Sequence, residues 1–493
     1  MNFSLNIRIL AVVSAILVLF KLPALALAWH MNEPVAPFTY AVILCLGVSA
    51  TGFLTRRAGL EMQARDGVLA VILGWAVMIF MGALPYYFSG QMRWVDAVFE
   101  SASGFTTTGS SILTDVEALP QSLLFWRSTT QWIGGMGILL LAVAILPFLG
   151  VGGAQIMKAE MPGPRKDKLA PRMAATAQLM WGIYVGLTVL CGLAYYLSGM
   201  SGLDAVHHAF TTIAIGGFST KNASLAAYPS SVQWTAMFFM IVAGINFVMH
   251  YRLIVTRDVS VFRDEEIVWY LLLMLVAGTF CTLIAHSSTA DNTLEPALRH
   301  GFFQAISLVT NTGFANVDWE VWPLYVQLLL MTIAIPGAMA GSTTGGLKMV
   351  RAVILFKVLG VVLNRLLTPE RVMLVKFNGK KVPRDILDGV MAMAFAMALA
   401  LLGATIFLVA VGMDVPSAYS AALTATINVG PGIGWVGPMD NFSAVPDPGK
   451  YLLVALMVFG RLEVFTVLIL LLPHFWKPER ILVSAGSPLR KRS

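Results

Sequence analysis

The sequence predicts an all-α polytopic membrane protein in which four helix, pore-helix, helix (M1-P-M2) repeats surround one axis, preceded by two further transmembrane helices. Three observations predict it. Of 493 residues, 57% are hydrophobic and 12% charged, with a mean hydropathy of +0.77, which suits a chain lying largely in lipid. Apolar runs long enough to span a bilayer follow one another along the whole chain. One short stretch, Phe99–Ser111 (FESASGFTTTGSS), comes back three more times, each time between two such runs.

The copies align on one glycine. Thr106-Thr107-Thr108 precede Gly109, Ala214-Ile215-Gly216 precede Gly217, Thr310-Asn311-Thr312 precede Gly313, and Ile427-Asn428-Val429 precede Gly430. Six residues before each glycine stands a hydroxyl (Ser103, Thr211, Ser307, Thr424), and Asp96 and Asp204 open an Asp-Ala-Val in the first two copies.

The elements follow in order. Ile9–Trp29, with Arg8 before it and Ala24-Leu25-Ala26 near its end, has parts of a signal peptide but is longer than an h-region and reads as a membrane helix. Lys21 inside it is expected to snorkel or to face neighbouring helices. Pro37–Leu54 is a second span, and residues 1–66 form an N-terminal pair outside the repeats. Repeat one (67–172) uses Val68–Phe88, the first motif and Leu123–Leu149, then the Gly/Pro/Lys-rich linker Val151–Pro171. Repeat two (173–265) uses Ala174–Leu197, the Asp204–Thr220 half-span and Val232–Ile254. Repeat three (266–383) uses Ile267–Ile284, Glu295–Asn316 and an apolar run from Pro323 to Leu367. That run exceeds the roughly 20 residues of one span and is interrupted by Pro336–Gly346, whereas the other second helices are expected to be unbroken. Repeat four (384–493) uses Ile386–Val411, Ser417–Pro438, Tyr451–Pro473 and a tail. Ten spanning helices and four half-spanning ones are expected.

The net charge of +7 is a statement about topology rather than a nucleic-acid partner. Most of the 33 Lys and Arg fall in loops that share one side, among them Arg56, Arg57, Arg65, Lys158, Arg165, Arg252, Arg257, the Lys348–Arg384 stretch and Arg490-Lys491-Arg492. That side is cytoplasmic by the positive-inside rule, with both termini on it. The opposite loops are acid-rich (Asp96, Glu100, Asp115, Asp204, Asp318, Asp440) and would concentrate cations. Cys45, Cys191 and Cys281 lie far apart in apolar runs and read as packing residues.

A half-span such as Val95–Phe105 reaches about 16 Å, about half of the hydrocarbon core. The tetrad after it must then line a cavity, because non-helical backbone at that depth has to be buried in protein or meet water. The partly negative C-terminal ends of four half-helices around one axis favour a cation. The tetrads contain no ionisable residue. That points to backbone carbonyls replacing the water of a potassium ion, where a divalent-cation filter would show a ring of Asp or Glu. The expected ion-contacting set is Thr107, Thr108, Gly109, Gly216, Gly217, Thr312, Gly313, Asn428, Val429 and Gly430. Gly341, Ser342, Thr343, Thr344, Gly345, Gly346 and Lys348 in the repeat-three break are the expected gate. Arg461 and Glu463 are charges in an otherwise apolar helix, too close in sequence to share a face. They read either as pathway charges or as interhelical ion pairs. His207, His208 and His300 lie near the outer ends of pore helices without metal-ligand spacing and read as structural.

Ser101–Ser110, Ile213–Thr220, Thr310–Phe314 and Asn428–Gly434, with Gly460-Arg461-Leu462-Glu463, resemble the Trk/Ktr/HKT superfamily of potassium transport proteins. The two extra N-terminal helices make the chain similar to its bacterial TrkH/TrkG branch. The resemblance implies potassium uptake at the bacterial inner membrane through a four-repeat filter, a homodimer, and a soluble nucleotide-binding, TrkA-like regulatory subunit on the cytoplasmic side. Nucleotide would act only through that subunit. Glycine at position 109, where the sodium-carrying plant branch has serine, favours potassium, and the matching arginine, Arg461, would face the pathway below the filter. Ala338-Met339-Ala340 departs from relatives richer in glycine at the break. The alternative is a proton- or sodium-coupled cation symporter of the same fold. An intramembrane enzyme has no support, since His-Glu-x-x-His, Gly-x-Ser-x-Gly with partners, and Cys/His clusters are all missing from the sequence.

Overall fold

The computed structural model describes residues 3–55, 64–137, 173–288, 293–370, 373–462 and 464–476. The Val151–Pro171 linker, the C-terminal tail, Glu463 and the second half of Leu123–Leu149 lie outside them. Three apolar helices open the chain: α1 (Phe3–His30), α2 (Ala36–Leu54) and α3 (Ala64–Phe88). Lys21 is fully buried between them, donating to Cys45 Sγ and Met81 O at 3.0 Å each, so it faces neighbouring helices and does not snorkel.

Each M1 helix is followed by a short helix of half-membrane length. The pairs are α3 with α4 (Trp94–Phe105), α6 (Met173–Leu197) with α7 (Gly202–Ile213), α10 (Glu265–Ser288) with α11 (Leu294–Val309), and α14 (Arg384–Ala410) with α15 (Val415–Ile427). The twelve residues of α4 reach about 18 Å and are buried except for Trp94. Helices α7 and α15 start on Ser201 and Asp414, which accept backbone N–H groups and so hold the half-helices at their outer ends.

The second helices are α5 (Gln121–Met136), α8 (Ser230–Ala243) with α9 (Phe247–Ile254), α12 (Leu324–Ala334) with α13 (Met349–Leu367), and α16 (Asp447–Arg461) with α17 (Val464–Leu468). The expectation that only repeat three is broken is corrected here. Helices α8 and α9 meet at 96° across Gly244-Ile245-Asn246, where Asn246 caps α9, and α16 and the helical stretch Val464–Leu471 meet at 118°. Helix α5 ends at Gly137, whose φ is +73°. Among the described residues five helices are long and apolar enough to span, or seven if each bent pair is one span. The three further expected spans are α2, shorter than the rest, the interrupted α12–α13 pair, and Leu123–Leu149, whose second half lies outside the described residues. A hairpin of β1 (Lys376–Phe377) and β2 (Lys380–Lys381) joins α13 to α14, and α18 (Pro473–Trp476) follows α17.

Candidate functional site

All four half-helices end in the same backbone turn. The residue two before each aligned glycine is left-handed: Thr107, Ile215, Asn311 and Asn428 have φ of 55°, 55°, 65° and 56°. The next N–H reaches back five residues, from Thr108 to Ser103 O (2.9 Å), Gly216 to Thr211 O (2.8 Å), Thr312 to Ser307 O (2.8 Å) and Val429 to Thr424 O (2.9 Å). This is a Schellman cap, and it satisfies carbonyls that the helix end leaves open. The hydroxyl residues found six before each glycine therefore mark the capped carbonyl. A left-handed isoleucine is costly for a β-branched residue and persists only where the surroundings over-determine it.

Beyond the cap the four chains close on one another in sequence order. A Cβ on Gly109 would stand 2.2 Å from Gly216 O; one on Gly217, 2.1 Å from Thr312 O; one on Gly313, 3.0 Å from Gly430 N; and one on Gly430, 2.9 Å from Gly109 O. Each tetrad thus touches the next and the fourth touches the first. Gly109, Gly217 and Gly313 have φ of +83°, +77° and +84°; Gly430 is not in the left-handed region, so there glycine answers to close approach alone. The four glycines line one vestibule, open to solvent and lined also by Ser111, Arg127, Lys221, Asp440 and Asn441.

Side chains hold the ring from outside. Asn428 donates to Thr108 Oγ1 (3.0 Å) and Met457 O (2.9 Å), and Asn311 to Ile427 O (2.8 Å). Gln131 of α5 donates to Gly216 O (2.6 Å) and accepts from Phe218 N (3.1 Å), so the Gly216 carbonyl is anchored by a second-helix side chain. Gln131 was not singled out in the sequence; the signal for it was a glutamine after Arg127-Ser128-Thr129-Thr130 in a stretch read as a membrane helix.

The repeat-three break lies directly under this ring. Thr343 Oγ1 donates to Ile213 O (3.2 Å) and Thr344 Oγ1 to Thr310 O (3.1 Å), while Cβ atoms on Gly345 and Gly346 would lie 2.3 Å and 3.2 Å from the Asn428 and Asn311 side chains. The break is also paired with the repeat-two break, through Met339 N to Gly244 O (3.1 Å) and Phe247 N to Gly341 O (3.0 Å). Glu266 Oε1 accepts from Ala340 N (2.7 Å) and Val350 N (3.2 Å), fixing both ends of the segment. Lys348, at φ 73°, donates to Thr344 O. Arg461 donates to Thr343 O (2.5 Å) and to Gly134 O and Gly135 O, the latter at 2.9 Å, so it clasps the break to the end of α5.

His207 and His208 are buried; His207 Nδ1 meets Ser128 Oγ (2.9 Å) and His208 meets Asp204 O (2.8 Å) and Ser219 Oγ (2.9 Å). No group of three metal-ligating side chains occurs among the described residues. On the outer rim Glu320 Oε1 accepts from Gly434 N (2.6 Å), and burial, with Asp318 and Asp440 nearby, raises its carboxyl above the ordinary range.

Residues 35–477 match the family model of TrkH, described as cation transport protein. The chain is 40% identical over 476 residues to the Trk system potassium uptake protein TrkH of Salmonella typhimurium, covering 94% of this chain and 98% of that protein. It is 33% identical over 468 residues to the Trk system potassium uptake protein TrkG of Escherichia coli, covering 93% and 96%. The crystal structure of the potassium transporter TrkH from Vibrio parahaemolyticus is similar at 35% identity with a TM-score of 0.87, covering 97% of this chain and all of that one. With the family model matched over most of its length, and four capped half-helices meeting in one ring, the chain belongs to the TrkH family of cation transport proteins.

Proposed function

We propose that this chain takes up potassium across the bacterial inner membrane through the ring of four tetrads. Thr107, Thr108, Gly109, Gly216, Gly217, Thr312, Gly313, Asn428, Val429 and Gly430 supply the oxygen cage and its frame, and potassium is the cargo. One observation carries the reading: each aligned glycine closes against the backbone of the next repeat, and all four open onto one vestibule. The relatives named for potassium uptake support the choice of ion. A carbonyl cage dehydrates potassium without a fixed charge, in keeping with tetrads free of Asp and Glu. In the same reading the Gly341–Gly346 segment with Lys348 is the gate, a role supported by its bonds to Ile213 O and Thr310 O at the half-helix ends and by its bond from Arg461. The chain works as a homodimer with both termini cytoplasmic. A soluble nucleotide-binding regulatory subunit acts on the cytoplasmic stretch after Lys348, and the five divisions 1–66, 67–172, 173–265, 266–383 and 384–493 are its structural units.

The test is rubidium uptake with and without sodium for Gly→Ser at positions 109, 217, 313 and 430. Sodium should compete in the variants, and unchanged discrimination in all four removes the filter. Flux into proteoliposomes under an imposed voltage, with no other gradient, separates a channel from a coupled symporter. Charge movement that follows potassium alone supports the channel, and dependence on a proton or sodium gradient supports the symporter.

A further inference from the structure

Beside the ring lies a buried ion pair whose arginine also lines the vestibule. Glu100 on α4 is fully buried and Arg127 on α5 is 4% exposed, with Arg127 Nε donating to Glu100 Oε1 at 2.6 Å. The two groups bind the outward legs of two adjacent tetrads. Glu100 accepts from Ser111 Oγ (3.0 Å) and Ile112 N (3.0 Å), just beyond Gly109. Arg127 Nη1 donates to Ser219 O (2.8 Å), and its guanidinium lies 3.5 Å over the Phe218 ring, just beyond Gly217.

The placement follows the repeat. Nine residues before the aligned glycines stand Glu100, His208, Gln304 and Ala421. His208 Nε2 meets Ser219 Oγ (2.9 Å) and Gln304 Nε2 donates to Asn316 Oδ1 (3.0 Å), each bracing the outward leg of its own repeat. In repeat four the neighbouring Ser420 does so, its Oγ donating to Ile433 O and accepting from Ile433 N at 3.0 Å each. Three repeats thus use an imidazole, an amide and a hydroxyl. Repeat one uses a carboxylate, and through Arg127 that carboxylate also reaches repeat two.

We propose that Glu100 and Arg127 are specificity-determining positioning residues: together they hold the outward legs beyond Gly109 and Gly217 rigid, and so set the preference for potassium over sodium. This rests on the filter reading above. Discriminating two ions of equal charge by a cage requires its oxygens to be held to within about 0.5 Å, which falls to the residues behind the cage. The planar guanidinium donates to a carboxylate and a carbonyl while stacking on a ring, a combination that lysine cannot reproduce with a single ammonium. Removing the carboxylate alone would leave a buried cation beside the vestibule floor.

The experiment measures thermal unfolding of the purified full-length chain while potassium or sodium is titrated, and compares the two half-saturating concentrations. This reads ion preference whatever the state of the gate and however much protein is made. Glu100→Gln and Arg127→Lys should bring the two concentrations closer by tenfold or more. A wild-type ratio in both variants overturns the proposal. So does failure of both to reach the membrane, which assigns the pair to assembly. Gly109→Ser is run alongside: if it shifts the ratio and the other two do not, this inference alone falls, and if none shifts it, the filter reading falls as well.

Discussion

Gly109, Gly217 and Gly313 meet two demands at once, a left-handed backbone and a neighbouring chain where a Cβ would be, while Gly430 meets only the second. Alanine at Gly217 adds about 1–2 kcal/mol of backbone strain to a contact of 2.1 Å with Thr312 O, and that carbonyl cannot move without moving the ring. At Gly430 the backbone is relaxed and the nearest atom stands at 2.9 Å. Gly217→Ala is therefore expected to cost more of the rubidium uptake than Gly430→Ala; equal loss in both would contradict the distinction. Glu320 tests the rim in a different way. Burial first, and then Asp318 and Asp440, raise its carboxyl, so its ionised form is the disfavoured one in the folded protein. The folded state then holds the proton more tightly than the unfolded chain, and the destabilisation, present above the raised folded value, fades as pH falls through it to the ordinary carboxyl value. Glu320→Gln keeps an oxygen for Gly434 N and removes the charge. Its melting temperature should exceed that of the wild type at pH 7.5, with the gap closing as the buffer is acidified.

Helix crossings under the ring depend on glycines of the second helices. A Cβ on Gly134 of α5 would stand 1.8 Å from Phe105 O, and one on Gly460 of α16 2.1 Å from Thr426 O, both backbone atoms of capped half-helices. Alanine at either should cost about 1–3 kcal/mol or more and appear as lost folded protein. Gly186 of α6 has open space around its missing Cβ, so Gly186→Ala should be neutral or stabilise by up to about 1 kcal/mol. Normal membrane levels for Gly134→Ala would refute the packing argument. These crossings also show which features could be read in the sequence. Half-helices, tetrads and the Pro336–Gly346 interruption were legible because each is a local pattern of apolar period, glycine and proline. The repeat-two bend was not, because Gly244-Ile245-Asn246 holds one glycine in an apolar run, and the bonds made at the bend, Met339 N to Gly244 O and Phe247 N to Gly341 O, join it to a segment far away in the chain. Arg461 was legible as an intramembrane charge, but its acceptors, the carbonyls of Thr343, Gly134 and Gly135, belong to segments far away in the chain. Backbone acceptors leave no mark in a sequence.

In the molecule as a whole, the ring and the segment below it share one frame. The segment below the ring bonds to Ile213 O and Thr310 O of two half-helices, to both sides of the repeat-two bend, to Glu266 on α10 and to Arg461 on α16. If that segment is the gate, as proposed, opening breaks several of these bonds together, and the Arg461 bonds are those that tie α16 both to the repeat-three break and to the end of α5. A charge-assisted bond of this kind is worth about 2 kcal/mol, so removing it would shift a closed-to-open balance by about thirtyfold. Two effects of the arginine can be separated. As a clasp it needs the fork that reaches Thr343 O and Gly135 O together; as a charge it needs only its positive sign, which raises the barrier to a cation where water is scarce. Arg461→Gln removes both properties and Arg461→Lys removes only the fork. If the clasp holds the gate, both variants should leak rubidium into proteoliposomes that contain no other protein. If the charge alone matters, the lysine variant stays as tight as the wild type. Wild-type tightness in both, at wild-type membrane levels, would mean that Arg461 does not hold the segment at all.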